Sequence, residues 1–190
     1  MSTVRETIEQ RRAYRSLAPV DISEELIEDL ATCAGLAPSC FNHQPWRFVF
    51  VHEPEALDQV KEALSEGNAW ATAASLIIAV YSRREDDCVI HDREYHLFDT
   101  GLATAFLILR ATERGLVAHP IAGYSPVQVR EALGIPDDCT IITLVIVGRH
   151  AARVSPLLSD KQRQAEQQRP ERKPLSEIAC RNRHCHQEEG

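Results

Sequence analysis

Three short segments concentrate the residue types that could do chemistry. The first is Arg11-Arg12-Ala13-Tyr14-Arg15, with three guanidinium groups in five residues. Planar guanidinium forks match phosphate oxygens in pairs, so this spacing can surround one phosphate. It equally suits a plain solvated basic turn. The second is Pro38-Ser39-Cys40-Phe41-Asn42-His43-Gln44-Pro45-Trp46. Its turn formers, amides and hydroxyl could meet the edge of a heteroaromatic ring, or Asn42 and Gln44 could bond the local backbone. The third is Gly115-Leu116-Val117-Ala118-His119-Pro120-Ile121-Ala122-Gly123-Tyr124. There Gly123 lets a flat ligand approach the backbone, or simply supplies a turn before Ser125.

The charge distribution bears on the first segment. The 190 residues carry 21 Lys+Arg and 28 Asp+Glu, a formal charge of −7. Both ends are nevertheless basic, through Arg11–Arg15 and the run Arg169–Lys173. Two basic ends on an acidic body could meet around one anion. The overall sign argues against a general nucleic-acid binder. The uninterrupted apolar stretch Leu76–Tyr81 is far shorter than the ~18 residues of a membrane span. The opening residues lack an apolar signal core, so a cytoplasmic protein is expected. On that expectation the six cysteines are reduced thiols, with no CxxC among them. Cys33 and Cys139 read as small hydrophobes. Cys180, His184, Cys185 and His186 could supply metal ligands but lack the second half of a zinc pattern, so no metal site is assigned. There is no G-x-G, Walker A, H-E-x-x-H or G-x-S-x-G motif.

The elements that must position these segments follow from periodicity. A helix is expected from Thr3 to about Arg12. A second begins after the N-cap Ser23, with Leu26, Ile27, Leu30, Ala31, Cys33 and Ala34 at helical spacing. Trp46–His52, Leu76–Tyr81 and Thr140–Val147 read as strands, the last continuous enough to be buried on both faces. Glu53-Pro54 opens a short helix through about Leu64. Residues 82–92 read as an irregular loop or lid. A long helix over Tyr95–Arg114 is apolar nearly all round, which places it centrally or in a subunit interface. Gly115 is its expected stop. Ser125-Pro-Val-Gln128 reads as a capping box. Beyond Gly148 the pattern fails, residues 159–173 read as polar and charged, and Pro174–Ile178 reads as a docking segment. The class is α+β or α/β with few strands and abundant helix, in one domain over residues 1–180, with 181–190 a polar, flexible tail.

In this order, the three segments resemble the FMN-dependent nitroreductase family. Arg11–Arg15 resembles its R-[RH]-S-x-[RK] opening. Pro38–Trp46 resembles P-S-x-x-N-x-Q-P-W. Gly115-Leu116 and Pro120–Tyr124 resemble the later G-L-x-x turn and P-x-x-G-[FY]. Arg172–Ile178 resembles R-K-P-L-x-E-[IV] near the end. The resemblance covers about residues 3–180. It implies an α+β three-layer fold, with a small, mostly antiparallel central sheet flanked by helices, a long buried helix at the dimer interface and an extended C-terminal tail. It also implies a homodimer with FMN at each of two interface sites.

Residue by residue, the resemblance places Arg11 and Arg12 on the FMN phosphate and ribityl chain, and Arg15 near the flavin pyrimidine edge. Pro38, Ser39 and Cys40 approach from the other subunit, with Asn42 in the same loop. Asn68 stands at the pyrimidine edge. Pro120 leads into Ala122 and Gly123, whose backbone N–H groups lie near flavin N5. Arg172 closes on the phosphate. No side chain acts as acid or base; the flavin carries the chemistry. The implied reaction is ping-pong, with NAD(P)H as donor and a nitroaromatic, quinone or similar small molecule as acceptor. Relatives with another flavin reaction, such as dehalogenation or flavin-related metabolism, and a non-enzymatic FMN-binding dimer remain alternatives. Three departures stand out. Ala13 replaces the usual Ser. Ala122 stands where some members have Glu. Cys40 and His43 replace common Ser residues.

Overall fold

The apolar runs pair with one another into an antiparallel sheet. The computed structural model describes residues 3–184. Strand β3 (Leu76–Arg83) lies between β2 (Trp46–Val51) and β7 (Cys139–His150). β7 continues the sheet on its other side, pairing with β6 (Val117–Ile121) and with the two-residue β1 (Leu17–Ala18). All four pairings in this sheet are antiparallel. Pro120 sits in β6, which pairs only with β7, so the missing proline N–H costs no ladder bond on a second side.

Period-two alternation divides the core into two layers. Ile77 and Ala79 of β3, with Leu144 and Ile146 of β7, face α3 (Pro54–Glu62) and α5 (Pro126–Leu133). Leu76, Ile78 and Val80, with Val145 and Val147, face α2 (Glu24–Gly35) and α4 (Tyr95–Glu113). Both faces of β3 and β7 are covered, which is why these strands read as continuous apolar runs. The result is the expected three-layer α+β arrangement.

Helix α1 (Val4–Gln10) begins at Thr3, where a complete capping box forms with Glu6, and ends at Gln10, two residues before the expected boundary. Helix α4 stops where Gly115 takes φ +75° and its N–H reaches Thr112 O. Only one side of α4 is buried within the chain, through residues such as Ala103, Leu107 and Ala111. Leu97, Phe98 and Phe106 remain exposed on the rest of it.

Several expectations change. At α5, Ser125 accepts from the Gln128 N–H, but the reciprocal half of the capping box is absent among the described residues. Segment 82–92 is more ordered than a loop: it holds the end of β3, a 3-10 turn and the first strand of a small hairpin, β4 (Val89–Ile90) with β5 (Arg93–Glu94). The polar stretch after Gly148 contains α6 (Asp160–Gln167), started by a capping box between Ser159 and Gln162. Its apolar content is too low for periodicity to reveal it. The short α7 (Leu175–Ile178) leaves Leu175 and Ile178 72% and 67% exposed, so its apolar side chains are not buried among the described residues. Cys185 and His186, two of the tail residues that could supply metal ligands, and most of the 181–190 tail lie outside the described residues. Among the described residues, no helix is long and apolar enough to cross a membrane.

Candidate functional site

The arginine segment leaves α1 extended and is bolted to α6. The Glu166 carboxylate accepts the backbone N–H of Arg15 at 2.5 Å and of Ser16 at 3.3 Å. Glu166 is only 7% exposed, so this buried acid is satisfied by main-chain donors. His150 of β7 adds its Nε2 at 3.6 Å from the same carboxylate and stacks on Tyr14 with ring centroids 3.7 Å apart. The Arg12 guanidinium lies 4.7 Å from the Tyr14 ring centre. Arg12 donates to the carbonyls of Ala165 and Glu166 at 2.8 and 3.3 Å. Arg169 donates to the carbonyls of Glu9 and Arg11 at 2.5 and 2.8 Å. Both therefore tie the two basic segments together through helix-end carbonyls, which seek donors and carry partial negative charge.

The two basic ends do meet. Arg11, Arg12, Arg15, Arg169 and Arg172 line one cavity of about 230 Å³. Among the described residues, the guanidinium groups of Arg11 and Arg172 make no hydrogen bond or ion pair, although the Arg11 backbone is bonded to Thr7 and Arg169. Burial, then the neighbouring charges of Arg169, Arg172 and Arg12, lowers the Arg11 pKa from its ordinary value. Burial likewise lowers that of Arg15, against the opposing pull of Glu166. A half-enclosed cluster of mutually repelling cations is short of an anion, and a phosphate supplies both the charge and the acceptors.

A second group lies beside it. The Arg15 guanidinium is 5.8 Å from the Trp70 ring centre. Trp70 donates its indole N–H to Asn68 Oδ1 at 3.2 Å, and Asn68 Nδ2 donates to Gly123 O at 2.9 Å. Ser65 also donates to Gly123 O, through its Oγ at 2.9 Å and its N–H at 3.1 Å. A Cβ on Gly123 would stand 2.5 Å from both Asn68 Nδ2 and Ser65 Oγ, so a side chain here would displace the groups that bond Gly123 O. Neither Ala122 nor Gly123 has an acceptor for its N–H among the described residues. Beneath this group, His119 stacks on Trp70 with centroids 4.8 Å apart and places Nδ1 3.1 Å from Tyr14 O. Burial, chiefly, drives its pKa down to about 4, against that hydrogen bond, so the ring is neutral at pH 7.

The loop 38–46 stands apart from the arginine cluster within one chain. Phe41, Asn42 and Gln44 take φ of 46°, 60° and 52°, left-handed values that cost about 1–2 kcal/mol each for ordinary residues. Local bonds hold the shape: Ser39 Oγ accepts the Gln44 N–H at 2.9 Å, and Gln44 Nε2 donates to Asn42 O at 3.2 Å. Asp99 of α4 accepts the Cys40 N–H at 2.7 Å. Burial raises the Asp99 carboxyl, opposed by that backbone bond and reinforced by nearby Asp87. Pro38 and Asn42 are exposed, and Ser39 is half-buried.

The thiol expectation is overturned here, because Cys40 is disulfide-bonded to Cys88. The two are 48 residues apart in sequence, yet the fold brings their Cα atoms to 6.2 Å, within bridging range. Cys139 is buried in the core as expected, and Cys33 is half-buried; both are free.

The structure thus unites Arg11, Arg12, Ala13, Arg15 and Arg172 in one cavity wall, and Asn68 with Gly123 beside Arg15. Sequence reasoning missed Glu166, Trp70 and His119 as the residues that set these positions. The S-x-x-Q pattern at Ser159–Gln162 was the available signal for α6 and hence for Glu166.

The family model described as Nitroreductase family matches residues 8–82 and 67–149. The chain belongs to the nitroreductase family. An Archaeoglobus fulgidus relative named "Putative NADH dehydrogenase/NAD(P)H nitroreductase" is 30% identical over 144 residues, 73% of this chain and 80% of that protein. An NADH dehydrogenase of Thermus thermophilus is 26% identical over 170 residues, 73% of this chain and 82% of that protein. The crystal structure of an oxidoreductase containing FMN superposes with a TM-score of 0.84 at 30% identity, covering 98% of this chain and 95% of that one. Membership in the nitroreductase family makes this chain an oxidoreductase of nitroreductase or NADH-dehydrogenase type.

Proposed function

We propose that this nitroreductase-family protein is an FMN-dependent NAD(P)H oxidoreductase acting as a homodimer on nitroaromatics, quinones or similar small acceptors. The observation that carries the reading is the cavity in which Arg11 and Arg172 lack any anionic partner. FMN fits it: the arginines suit its phosphate, and the crowded, side-chain-free Gly123 suits close approach of a flat ring. When bound, FMN supplies a two-electron carrier that accepts hydride from NAD(P)H and returns it to the acceptor.

The chain's own residues do the rest. Arg11 and Arg172 hold the phosphate, while Arg12 and Arg169 fix the two backbone segments that present them. Arg15, kept cationic beside Trp70, favours negative charge developing on the ring system. Asn68 and the N–H groups of Ala122 and Gly123 offer directional hydrogen bonds to its polar edge. Pro38, Ser39, Cys40 and Asn42 complete the site from the partner subunit in this reading. An apolar groove of about 350 Å³ between α1, α2 and α4 supports the dimer. Val4, Leu36 and Phe106 line it and are 74%, 74% and 39% exposed, a patch that ordinarily marks an interface.

Purified protein tests the proposal directly. It should bind one FMN per chain, bleach anaerobically on adding NADH or NADPH, and recolour with a nitroaromatic or quinone. Failure to bind added FMN refutes the cofactor assignment. Bound FMN that neither nicotinamide reduces refutes the donor and leaves an FMN-binding dimer.

A further inference from the structure

The disulfide is surrounded by groups that the flavin reading leaves without a task. The α2–β2 loop brings Cys40 and His43; the segment after β3 brings Asp87 and Cys88. His43 Nδ1 lies 4.0 Å from Cys88 Sγ and 3.5 Å from Asp87 Oδ1. The ligand atoms of Cys40, Asp87 and Cys88 all lie within 4.8 Å of one another. Asp87 has a side chain 0% exposed, and its Oδ2 has no hydrogen-bond partner among the described residues. Its Oδ1 accepts the Cys88 N–H at 2.8 Å. The Asp99 carboxyl lies against Asp87, so two facing acids beside two sulfurs and an imidazole call for either a shared proton or a cation.

We propose that reduction of the Cys40–Cys88 disulfide creates a site for one Zn²⁺ ion, ligated by Cys40, Cys88, His43 and Asp87. Two thiolates, an imidazole and a carboxylate are the donors that borderline-soft Zn²⁺ takes in tetrahedral sites, whereas Mg²⁺ and Ca²⁺ avoid sulfur. Zn–S bonds of about 2.3 Å at a tetrahedral angle place two sulfurs about 3.8 Å apart. The bonded sulfurs therefore need only separate by side-chain rotation, with the Cα atoms left 6.2 Å apart. Asp99 already fixes the Cys40 main chain.

The chemistry balances with a dithiol as reductant. The S–S bond breaks and takes two electrons and two protons from the dithiol, which closes to its own disulfide. Zn²⁺ then displaces the two thiol protons to solvent and leaves two metal-bound thiolates. The disulfide and the metal exclude each other, so the loop carrying Pro38–Asn42 is stapled in one of two redox-dependent ways.

The test uses the full chain with Cys180→Ser and Cys185→Ser, which silences the tail. Protein reduced with a phosphine and freed of reductant anaerobically is titrated with Zn²⁺ against a chromogenic chelator. One Zn²⁺ per chain should bind and shield two thiols from a thiol reagent. Air-oxidised protein should bind none. His43→Ala and Asp87→Asn should each weaken binding at least tenfold, and Cys88→Ala should abolish it. Co²⁺ should give thiolate charge-transfer absorption that Cys88→Ala removes and Cys33→Ser preserves. Absence of Zn²⁺ binding by the reduced protein overturns the proposal. So does equal binding before and after oxidation, or unchanged affinity in His43→Ala, whose exposed side chain puts folding at little risk. A buried proton shared between Asp87 and Asp99, in place of a metal, would produce the first of these results.

Discussion

Replacing Arg11 by alanine should have opposite consequences with and without cofactor. The backbone bonds at this position survive the change, because Arg11 N–H still reaches Thr7 O and Arg11 O still accepts from Arg169. What disappears is one partly desolvated guanidinium repelled by Arg169, Arg172 and Arg12. Without FMN, its loss removes repulsion and no bond, so the unfolding free energy should stay within about 0.5 kcal/mol or rise. With FMN, one hydrogen bond to a charged group is lost. That is worth about 1.5–3 kcal/mol, or roughly ten- to a hundredfold in affinity. The assay is thermal unfolding and fluorescence titration with FMN and, in parallel, with riboflavin, which lacks the phosphate. At FMN one hundred times the wild-type Kd, the wild type gains about 2.7 kcal/mol, whereas a variant weakened about thirtyfold gains only about 0.9. Riboflavin affinity should be unchanged. Equal losses for FMN and riboflavin, or an apoprotein destabilised by more than about 1 kcal/mol, would refute the phosphate role.

Other outcomes follow from the same geometry. His119 has its pKa depressed to about 4 by burial. Between that value and the unfolded ~6.5 only the unfolded chain takes up the proton. Stability should therefore fall as pH drops through this window, by up to about 3 kcal/mol, and urea denaturation of His119→Asn should show a flatter profile. Gly123→Ala should displace Asn68 or Ser65 at a cost of about 1–3 kcal/mol and weaken FMN and riboflavin alike; unchanged riboflavin binding would show that the glycine is not needed there. Glu166→Gln keeps an acceptor but loses the charge facing two backbone N–H groups, so it should lower stability by about 1–3 kcal/mol and loosen α6, read as faster amide exchange at Arg15 and Ser16.

Much of the fold was legible because its elements are locally self-consistent. Ser23 caps α2, Gly115 ends α4, and the apolar runs of β2, β3 and β7 cannot be solvated. The short strands β1 and β6 were not legible. Two residues at Leu17–Ala18, and a run interrupted by His119 and Pro120, become strands only because β7 offers them a partner. α6 escaped because its stability comes from a cap and from contacts with the arginine segment, not from an apolar stripe.

The sequence by itself determined the kinds of group available: clustered guanidiniums, a loop of turn formers, a glycine before a capped helix, and the family motifs that order them. Those are properties of composition and spacing, and they survive without coordinates. Only the tertiary structure decided that Arg11 and Arg172, 161 positions apart in number, share one cavity while Arg12 and Arg169 are tied to carbonyls. Only it decided that Cys40 meets Cys88 beside the buried Asp87 carboxyl. The reason is physical. Electrostatic pairing and disulfide geometry depend on separations of a few ångströms, and chain folding sets these independently of distance along the sequence.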